Sequence, residues 1–160
     1  MIRKAQKPDA NKIIEINIKS WKKTYNKIFP AKFLNELDTK KEKSVQKCIS
    51  NINEYFVYET NNNIVGFIKI GKNKKGYSNE YGEIYALYIE ESYQNIKIGT
   101  KLINYALNIL KEKYKYVLVS TLEKNTANDF YKKLGFQKIS SAIFKLEGKE
   151  YKENLYKKEI

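Results

Sequence analysis

The spacing of hydrophobic and polar residues predicts an ordered series of helices and strands in the first half of the chain. Residues 1–4 suit an opening edge strand, and a helix begins at Pro8-Asp9. Around Phe29-Pro30 the chain turns, and residues 32–37 and 40–52 have the pattern of further helical segments. Along the first predicted helix, apolar residues at helical spacing form one face: Ala10, Ile14, Ile18, Trp21 and Tyr25.

The rest of the chain alternates strands with helices. Strands at 55–59 and 64–70 form a predicted hairpin about three asparagines, 61–63, and a polar loop over 72–80 leads to a strand at 81–89. An amphipathic helix follows, and then a short strand at 116–121, a helix ending at Gly135, and closing strands at 136–146 and 150–158. This order predicts a mixed α and β fold, with an antiparallel first half and a βαβα second half.

Composition sets the outer bounds of the prediction. With 160 residues and two prolines, residues 1–160 are expected to form a single domain. We find no apolar run that could span a bilayer and no secretory leader in residues 1–9, so we expect a cytoplasmic protein without a membrane partner. Cys48 is the only cysteine and histidine is absent, which excludes an internal disulfide, a Cys-His nucleophile pair and the usual zinc sites. We therefore expect no metal.

The net charge of +13 raises the alternative of a basic nucleic-acid-binding module without catalysis. Arg3 is the only arginine, however, whereas phosphate and groove recognition depends on the guanidinium group. The lysines are spread along the whole chain. We therefore interpret the charge as a solvated surface that attracts polyanions, and we expect no nucleic-acid partner.

Residues 93–100, Tyr-Gln-Asn-Ile-Lys-Ile-Gly-Thr, join the predicted strand ending at Ile89 to the amphipathic helix. The first turn of a helix has amide groups without intrahelical partners and partial positive charge, which favours phosphate oxygens. Gly99 would allow a phosphate close to the backbone. Neither a P-loop string nor a Gly-x-Gly-x-x-Gly string occurs in the chain. The segment therefore predicts an anion site of another type, and the alternative is a plain strand-to-helix turn.

This loop resembles the acyl-CoA site of the GNAT superfamily of N-acetyltransferases, Gln/Arg-x-x-Gly-x-Gly/Ala. Gln94, Ile98 and Gly99 fit the pattern, and Lys97 stands where the first glycine is usual. Residues 125–136, Asn-Thr-Ala-Asn-Asp-Phe-Tyr-Lys-Lys-Leu-Gly-Phe, resemble the late motif of the same family, Asn-x-Ala-x-x-Phe-Tyr-x-x-x-Gly-Phe. The resemblance covers roughly residues 1–145 and is strongest after Tyr81.

The resemblance implies a GNAT-like α+β fold, with a mostly antiparallel twisted sheet of six to seven strands, a splayed parallel pair and about four flanking helices. It also implies acetyl-CoA as co-substrate, with its pantetheine arm bound like a strand to backbone groups. The residues expected to contact acetyl-CoA are Leu87, Tyr88, Ile89, Gln94, Asn95, Ile96, Lys97, Ile98, Gly99, Thr100, Asn125 and Tyr131. Lys97 leaves a silent CoA-binding protein as an alternative.

Two residues are candidates for acid-base chemistry. An attacking amine must lose a proton, and Glu83, on the strand face shared with Tyr85, Leu87 and Ile89, is the candidate general base. Its alternative role is that of a salt-bridged glutamate at the sheet edge. In the family the late-motif tyrosine protonates the CoA thiolate, and Tyr131 occupies that position; a phenol with a reference pKa near ~10 stays protonated. Its alternative role is packing.

The sequence gives less information about the acceptor substrate than about the acetyl donor. The region from Trp21 resembles a family branch that contains polyamine and other small-amine acetyltransferases. Trp21, Tyr25 and Tyr85 are the candidate acceptor contacts, although the aromatic residues of the first helix could simply pack it on the sheet. We expect a small primary amine as partner, and a protein N-terminus or lysine is the alternative acceptor. A homodimer is the alternative to a monomer, and the sequence does not choose between them.

Overall fold

A computed structural model describes residues 1–160. It contains seven strands and five α-helices, together with three short 3-10 turns. The strands are β1 (Ile2–Lys4), β2 (Tyr55–Thr60), β3 (Asn63–Lys72), β4 (Tyr81–Ile89), β5 (Tyr116–Leu122), β6 (Gln137–Leu146) and β7 (Lys149–Glu159). The helices are α1 (Ala10–Tyr25), α2 (Ala31–Thr39), α3 (Lys41–Ser50), α4 (Ile98–Leu110) and α5 (Ala127–Lys133).

The strands form one mixed sheet in the order β1-β2-β3-β4-β5-β7-β6. β4 and β5 are parallel, with Tyr81 opposite Tyr116 and Ile84 opposite Val119, and β4 continues for five residues beyond Ile84. The pairs β1-β2, β2-β3, β5-β7 and β6-β7 are antiparallel. The predicted mixed fold with a parallel pair is confirmed.

By its contacts the chain divides into two compact units, each made of two segments. Unit 1 contains Met1–Lys69 and Ala86–Tyr105. Unit 2 contains Ile70–Tyr85 and Ala106–Ile160.

In unit 1, α1 is buried more widely than its predicted apolar face. Ile13 and Ile16 are at most 1% exposed, although the predicted face omitted both, and Trp21 stays half-buried. The reason is that α1 packs on α3 as well as on the strands, in a cluster that includes Val45, Cys48 and Val57. A helix that is buried on more than one side needs a wider stripe of apolar residues than a helix that packs on a sheet alone.

The only arginine, Arg3, forms its side-chain ion pairs within unit 1. Arg3 Nη1 and Nη2 donate to the carboxylate of Asp9 at 2.8 and 3.1 Å, and Nε donates to Glu59 at 2.6 Å. The bond from Arg3 is the main cause that lowers the pKa of Asp9. The guanidinium group therefore joins β1, β2 and the start of α1, since bidentate pairs of this kind fix geometry as well as charge.

The core of unit 2 contains a polar centre at Asn128, on α5. Its Oδ1 accepts hydrogen bonds from Thr121 Oγ1 at 2.5 Å, Tyr156 OH at 2.7 Å and Asn154 Nδ2 at 3.1 Å. Its Nδ2 donates to the carbonyls of Leu122 and Asn125 at 2.8 and 2.5 Å. Asn128 is 9% exposed, so one side chain connects α5 to two strands inside the core.

Replacing Asn128 by Leu should destabilise the fold strongly. Three buried donors lose their common acceptor, and a buried polar group without a partner costs about 1–3 kcal/mol. We expect a loss of at least about 3 kcal/mol in the free energy of unfolding, measured by urea denaturation. Asn108→Leu, on the exposed face of α4, is the control and should change stability little. Equal effects of the two substitutions would contradict a structural role for the Asn128 network.

Two further features bear on the sequence predictions. Cys48 is 1% exposed, and burial raises the pKa of its thiol, as expected of a structural cysteine. No helix is both long and apolar enough to cross a bilayer.

Candidate active site

In unit 1, the loop after β4 is tied back to the end of that strand. The chain makes a 3-10 turn at Glu91–Tyr93, and the side-chain amide of Gln94 donates to the carbonyl of Ile89 at 3.0 Å. Gln94, the first residue of the predicted motif, therefore sets the direction of the loop. The Ile89 carbonyl already accepts one bond, so pantetheine would have to use its second lone pair.

The backbone of this loop has an unusual conformation at two residues. Asn95 has φ of 64° and Lys97 has φ of 66°. Asparagine tolerates the left-handed region, whereas a lysine there costs roughly 1–2 kcal/mol. Lys97 occupies the position where the family pattern has glycine, so the loop keeps the glycine-type conformation with a side chain present.

The loop ends at the start of α4. The amide of Lys101 donates to the carbonyl of Lys97 at 3.0 Å, which makes Lys97 the residue before the first turn. The amides of Ile98, Gly99 and Thr100 consequently have no intrahelical acceptor. Ile98 is 3% exposed and anchors the helix start, whereas Ile96 is 58% exposed. First-turn amides next to left-handed residues make a concavity of the type that binds phosphate oxygens, so these residues fit a diphosphate.

The end of β4 packs closely in unit 1. The ring of Tyr88 lies 5.8 Å from that of Phe67, and the amide of Glu90 donates to the carbonyl of Val65 at 2.8 Å. A Cβ atom at Gly66 would lie 3.2 Å from the Tyr88 carbonyl oxygen. The glycine therefore permits close approach of β3 to the strand residues predicted to bind pantetheine.

The aromatic residues of α1 contact one another. Trp21 lies edge-on to Tyr25 at 4.8 Å and stacks on Phe29 at 5.8 Å, and Phe33 completes the cluster at 5.5 Å from Phe29. Tyr25 and Phe29 are buried. The structure thus gives Trp21 and Tyr25 a packing role at the junction of α1 and α2, and their acceptor role stays a prediction.

In unit 2, Glu83 is a buried carboxylate. It is 5% exposed, and its Oε2 accepts a hydrogen bond from the amide of Lys74 at 2.7 Å. Burial raises the pKa of Glu83, and the Lys74 amide with the charges of Lys74 and Lys75 offsets part of that shift. β4 lies in the interior of the sheet order, so Glu83 is not the sheet-edge glutamate of the alternative interpretation.

The loop that holds Glu83 is organised by Asn73, which sequence reasoning missed. Asn73 is 7% exposed; its Nδ2 donates to the carbonyls of Tyr77, Ser78 and Tyr81, and its Oδ1 accepts from the Tyr77 amide at 3.0 Å. One asparagine therefore shapes the loop that presents the Lys74 amide. An asparagine in a polar loop gives no sequence signal of burial.

The side chain of Tyr85 also has polar contacts within unit 2. Its hydroxyl donates to the carbonyl of Lys72, and the ammonium of Lys74 lies 4.1 Å from its ring centroid. A Cβ atom at Gly71 would clash with the ring, since it would lie 2.6 Å from the hydroxyl oxygen. Tyr85 is thus held by the Lys72 carbonyl and the side chain of Lys74, the residue whose backbone amide holds Glu83.

The late motif forms a short helix that ends at Gly135, as predicted. Asn125 Oδ1 accepts from the Ala127 amide at 2.9 Å before α5. After the helix, the amides of Gly135 and Phe136 donate to the carbonyls of Lys132 and Tyr131, with Gly135 at φ of 86°, which is a Schellman ending. Tyr131 is 6% exposed, and its ring lies edge-on to the ring of Phe136 at 5.6 Å.

The predicted site residues thus fall into two sets. Unit 1 holds the strand end 87–89, the loop 94–100 and the aromatic pair of α1, and unit 2 holds Glu83, Tyr85, Asn125 and Tyr131. No group of three or more Cys, Asp or Glu side chains is arranged to hold a metal ion in residues 1–160.

Comparison with known proteins decides the family. A family model described as "Acetyltransferase (GNAT) domain" matches residues 51–138, which include β4, the loop, α4 and the whole late motif. The chain belongs to the GNAT acetyltransferase family. GNAT enzymes are acyl-CoA-dependent N-acetyltransferases, and this chain accordingly uses acetyl-CoA and acts on an acceptor substrate.

The similar proteins span nearly the whole chain. The uncharacterized N-acetyltransferase YuaI of Bacillus subtilis is 25% identical over 153 residues, which are 95% of this chain and 88% of that protein. An N-alpha-acetyltransferase of Sulfurisphaera tokodaii is 26% identical over 86% of this chain and 80% of its own length. The structure of PaiA N-acetyltransferase from Thermoplasma acidophilum in complex with coenzyme A has a TM-score of 0.78 and 24% identity, and covers 100% of this chain and 98% of its own. That likeness supports the GNAT fold.

Proposed function

We propose that this GNAT enzyme transfers the acetyl group of acetyl-CoA directly to the primary amine of a small molecule. The observation that carries the acetyl-CoA part of the proposal is the backbone of residues 95–100, where left-handed residues precede the first-turn amides of α4. The small-amine acceptor rests on the resemblance of the region from Trp21 to small-amine acetyltransferases. These amides would hold the diphosphate of CoA, and the ammonium of Lys97 would add charge attraction. Leu87, Tyr88 and Ile89 would pair with pantetheine through their backbone, and Asn125 is a further proposed contact.

Glu83 and Tyr131 are the proposed acid-base groups. Glu83, directly or through a water molecule, takes a proton from the acceptor ammonium, and the freed nitrogen lone pair attacks the thioester carbonyl carbon. The carbon-sulfur bond then breaks, and Tyr131 gives a proton to the departing sulfur. The nitrogen loses its second proton as the amide forms, and that proton returns Tyr131 to its neutral form. A carboxylate whose pKa is raised by burial is a stronger base than an exposed one, which suits Glu83 to this role.

Gly99→Val should weaken the binding of acetyl-CoA by at least about tenfold, because a branched side chain in the first turn of α4 would crowd a phosphate out of reach of the amides. Titration calorimetry with acetyl-CoA measures the effect. Asn104→Val is the matched control, since it puts the same side chain on the exposed face of the same helix. Unchanged affinity of the Gly99 variant would rule out the diphosphate site at this loop.

A protein N-terminus is the second candidate acceptor, favoured by the similarity to the N-alpha-acetyltransferase. The experiment that separates the two is an assay of CoA thiol release with a panel of small amines and short peptides. Faster turnover of peptides than of every small amine would favour the second candidate.

A further inference from the structure

β6, in unit 2, is an edge strand that is exposed along almost its whole length. It pairs with β7 on one side and stands last in the strand order. Eight of its ten residues are exposed, and only Phe144 and Leu146 are partly covered. In an edge strand the N–H and C=O groups on the outer side have no ladder partner. These groups of β6 are therefore available to another strand.

The middle of β6 lacks the features that usually protect an edge. Residues 139–144, Ile-Ser-Ser-Ala-Ile-Phe, contain no charged residue, proline or glycine, although 31% of the residues of the chain are charged. Ile139 and Ile143 are 40% and 66% exposed. Lys152, which lies opposite Ile143 on β7, has its charge paired with Glu123 at 3.2 Å. An exposed, apolar and uncharged edge of this kind is a site where a further strand adds to the sheet.

The distribution of charge favours a second copy of this chain as that strand. The lysines of β6, Lys138 and Lys145, lie on either side of the uncharged middle. The net charge of +13 would otherwise attract an acidic strand, but its carboxylates would lie along residues 139–144 without a counter-charge. A second β6 places uncharged residues against uncharged residues.

Two β6 strands are self-complementary when they pair antiparallel about a two-fold axis at Ser141. This register places Ser140 opposite Ala142 of the second copy. It also brings Ile139 of each copy beside Ile143 of the other, so the two exposed isoleucines cover each other. The bulge of β6 lies between residues 138 and 140, at the start of the strand, so the rest of the strand keeps a regular register.

The same register keeps the lysines apart. Lys138 lies opposite Phe144 of the second copy, and Lys145 lies opposite Gln137. An axis shifted by half a residue toward the C-terminus would put Lys138 directly opposite Lys145, and like charges in that position are destabilising.

The other end of the strand order does not offer an equivalent edge. β1 has only three residues, and Arg3 and Lys4 are two of them. Head-to-tail pairing of β6 with β1 would be short and would bring cations together. Pairing of β6 with itself is closed by its two-fold axis and ends at two copies.

We propose that β6 is the interface of a homodimer in which two copies pair this strand antiparallel about an axis at Ser141. The pairing extends the strand order of each copy into that of the other. It is independent of the identity of the acceptor substrate.

Sedimentation equilibrium of the full chain tests the interface. We expect a monomer–dimer equilibrium, and Ile143→Lys should raise its dissociation constant at least about tenfold, because two lysines enter the uncharged middle. Asn104→Lys adds the same charge on the exposed face of α4 and is the control, with a change of at most about threefold. Added salt should strengthen the dimer, since each copy has a net charge of +13. Ile143 is exposed in the single chain, so its variant should keep the wild-type circular dichroism spectrum.

Ser141→Cys tests the register. On a two-fold axis this cysteine faces its own equivalent, within the Cα separation of about 4.4–6.8 Å that a disulfide needs, so mild oxidation should give a covalent dimer on a non-reducing gel. Lys145→Cys is the control, because the register puts it opposite Gln137 of the second copy and far from its own equivalent. Cys48 is 1% exposed and should not cross-link.

Three results would overturn the inference. The first is a chain that stays monomeric at every concentration, which would leave the edge to a different protein. The second is a dimer that Ile143→Lys does not weaken more than Asn104→Lys does. The third is equal cross-linking of the Ser141→Cys and Lys145→Cys variants.

Discussion

Glu83→Gln is expected to lower kcat/KM by about 10²–10⁴ at neutral pH, the usual contribution of a positioned general base. The glutamine oxygen can still accept the hydrogen bond from the Lys74 amide, so the loop geometry should be kept. The loss would then reflect the missing base. Glu112→Gln, at an exposed position after α4, is the matched control and should keep full activity.

The pH profile gives the sharper readout for the same variant. Because burial raises the pKa of Glu83, the wild-type rate should fall as the pH drops through that raised pKa, where the carboxylate takes up a proton. The variant should lack this acidic limb and recover rate only at high pH, where the acceptor amine loses its proton unaided. A variant with the wild-type rate below neutral pH would show that another group removes the proton.

The Glu83→Gln variant should be more stable than the wild type at neutral pH, although it is less active. A carboxyl group whose pKa is higher in the folded protein than in the unfolded chain binds its proton more tightly when folded. The charged form of Glu83 therefore destabilises the fold at neutral pH, and this cost disappears as the pH falls below both pKa values. Glu83→Gln is thus expected to raise the melting temperature at neutral pH. A lower melting temperature would point to a structural role instead.

Tyr131→Phe is expected to lower kcat by about 10² or more and to leave the affinity for acetyl-CoA within a few-fold. Phenylalanine keeps the ring that packs edge-on against Phe130 and Phe136, so only the hydroxyl is lost. Without a proton donor the CoA thiolate is a poorer leaving group. Steady-state kinetics and calorimetry with acetyl-CoA measure the two quantities.

The control for this substitution is Tyr114→Phe. Tyr114 is also a buried tyrosine of unit 2, but its ring packs near Gly82 and has no proposed catalytic role. It should keep full kcat. Unchanged kcat of the Tyr131 variant across the pH range would leave Tyr131 as a packing residue only.

Local patterns predicted most of the secondary structure. β4 spans Tyr81–Ile89 as predicted, and α5 ends as Gly135 indicated, because strand alternation and a left-handed glycine depend on residues close in sequence. The buried network at Asn128 and the loop organised by Asn73 were missed. Their burial depends on partners brought by other elements, and a polar residue in a helix or loop gives no periodic signal of that burial.

The backbone of the candidate site differs from the sequence expectation at one residue. A lysine in place of the usual glycine at position 97 predicted a backbone conformation that a residue other than glycine tolerates, whereas the structure has Lys97 in the left-handed region, with φ of 66°. The ion pair between Lys23 and Glu91 was not predicted either. The two residues belong to elements far apart in sequence, and their lysine and glutamate types alone are typical of any solvated surface.

The aromatic cluster at the junction of α1 and α2 gives the protein a useful fluorescence signal. Trp21 is the only tryptophan of the chain, and its neighbours Ser20 and Thr24 line a cavity between α1 and the segment after β4 in unit 1. Fluorescence excited at the long-wavelength edge of indole absorption therefore comes from Trp21 alone. Trp21 is half-buried and lies one helical turn or less from Ser20 and Thr24. The protein carries an intrinsic fluorophore that reports on the α1 side of this cavity without any label.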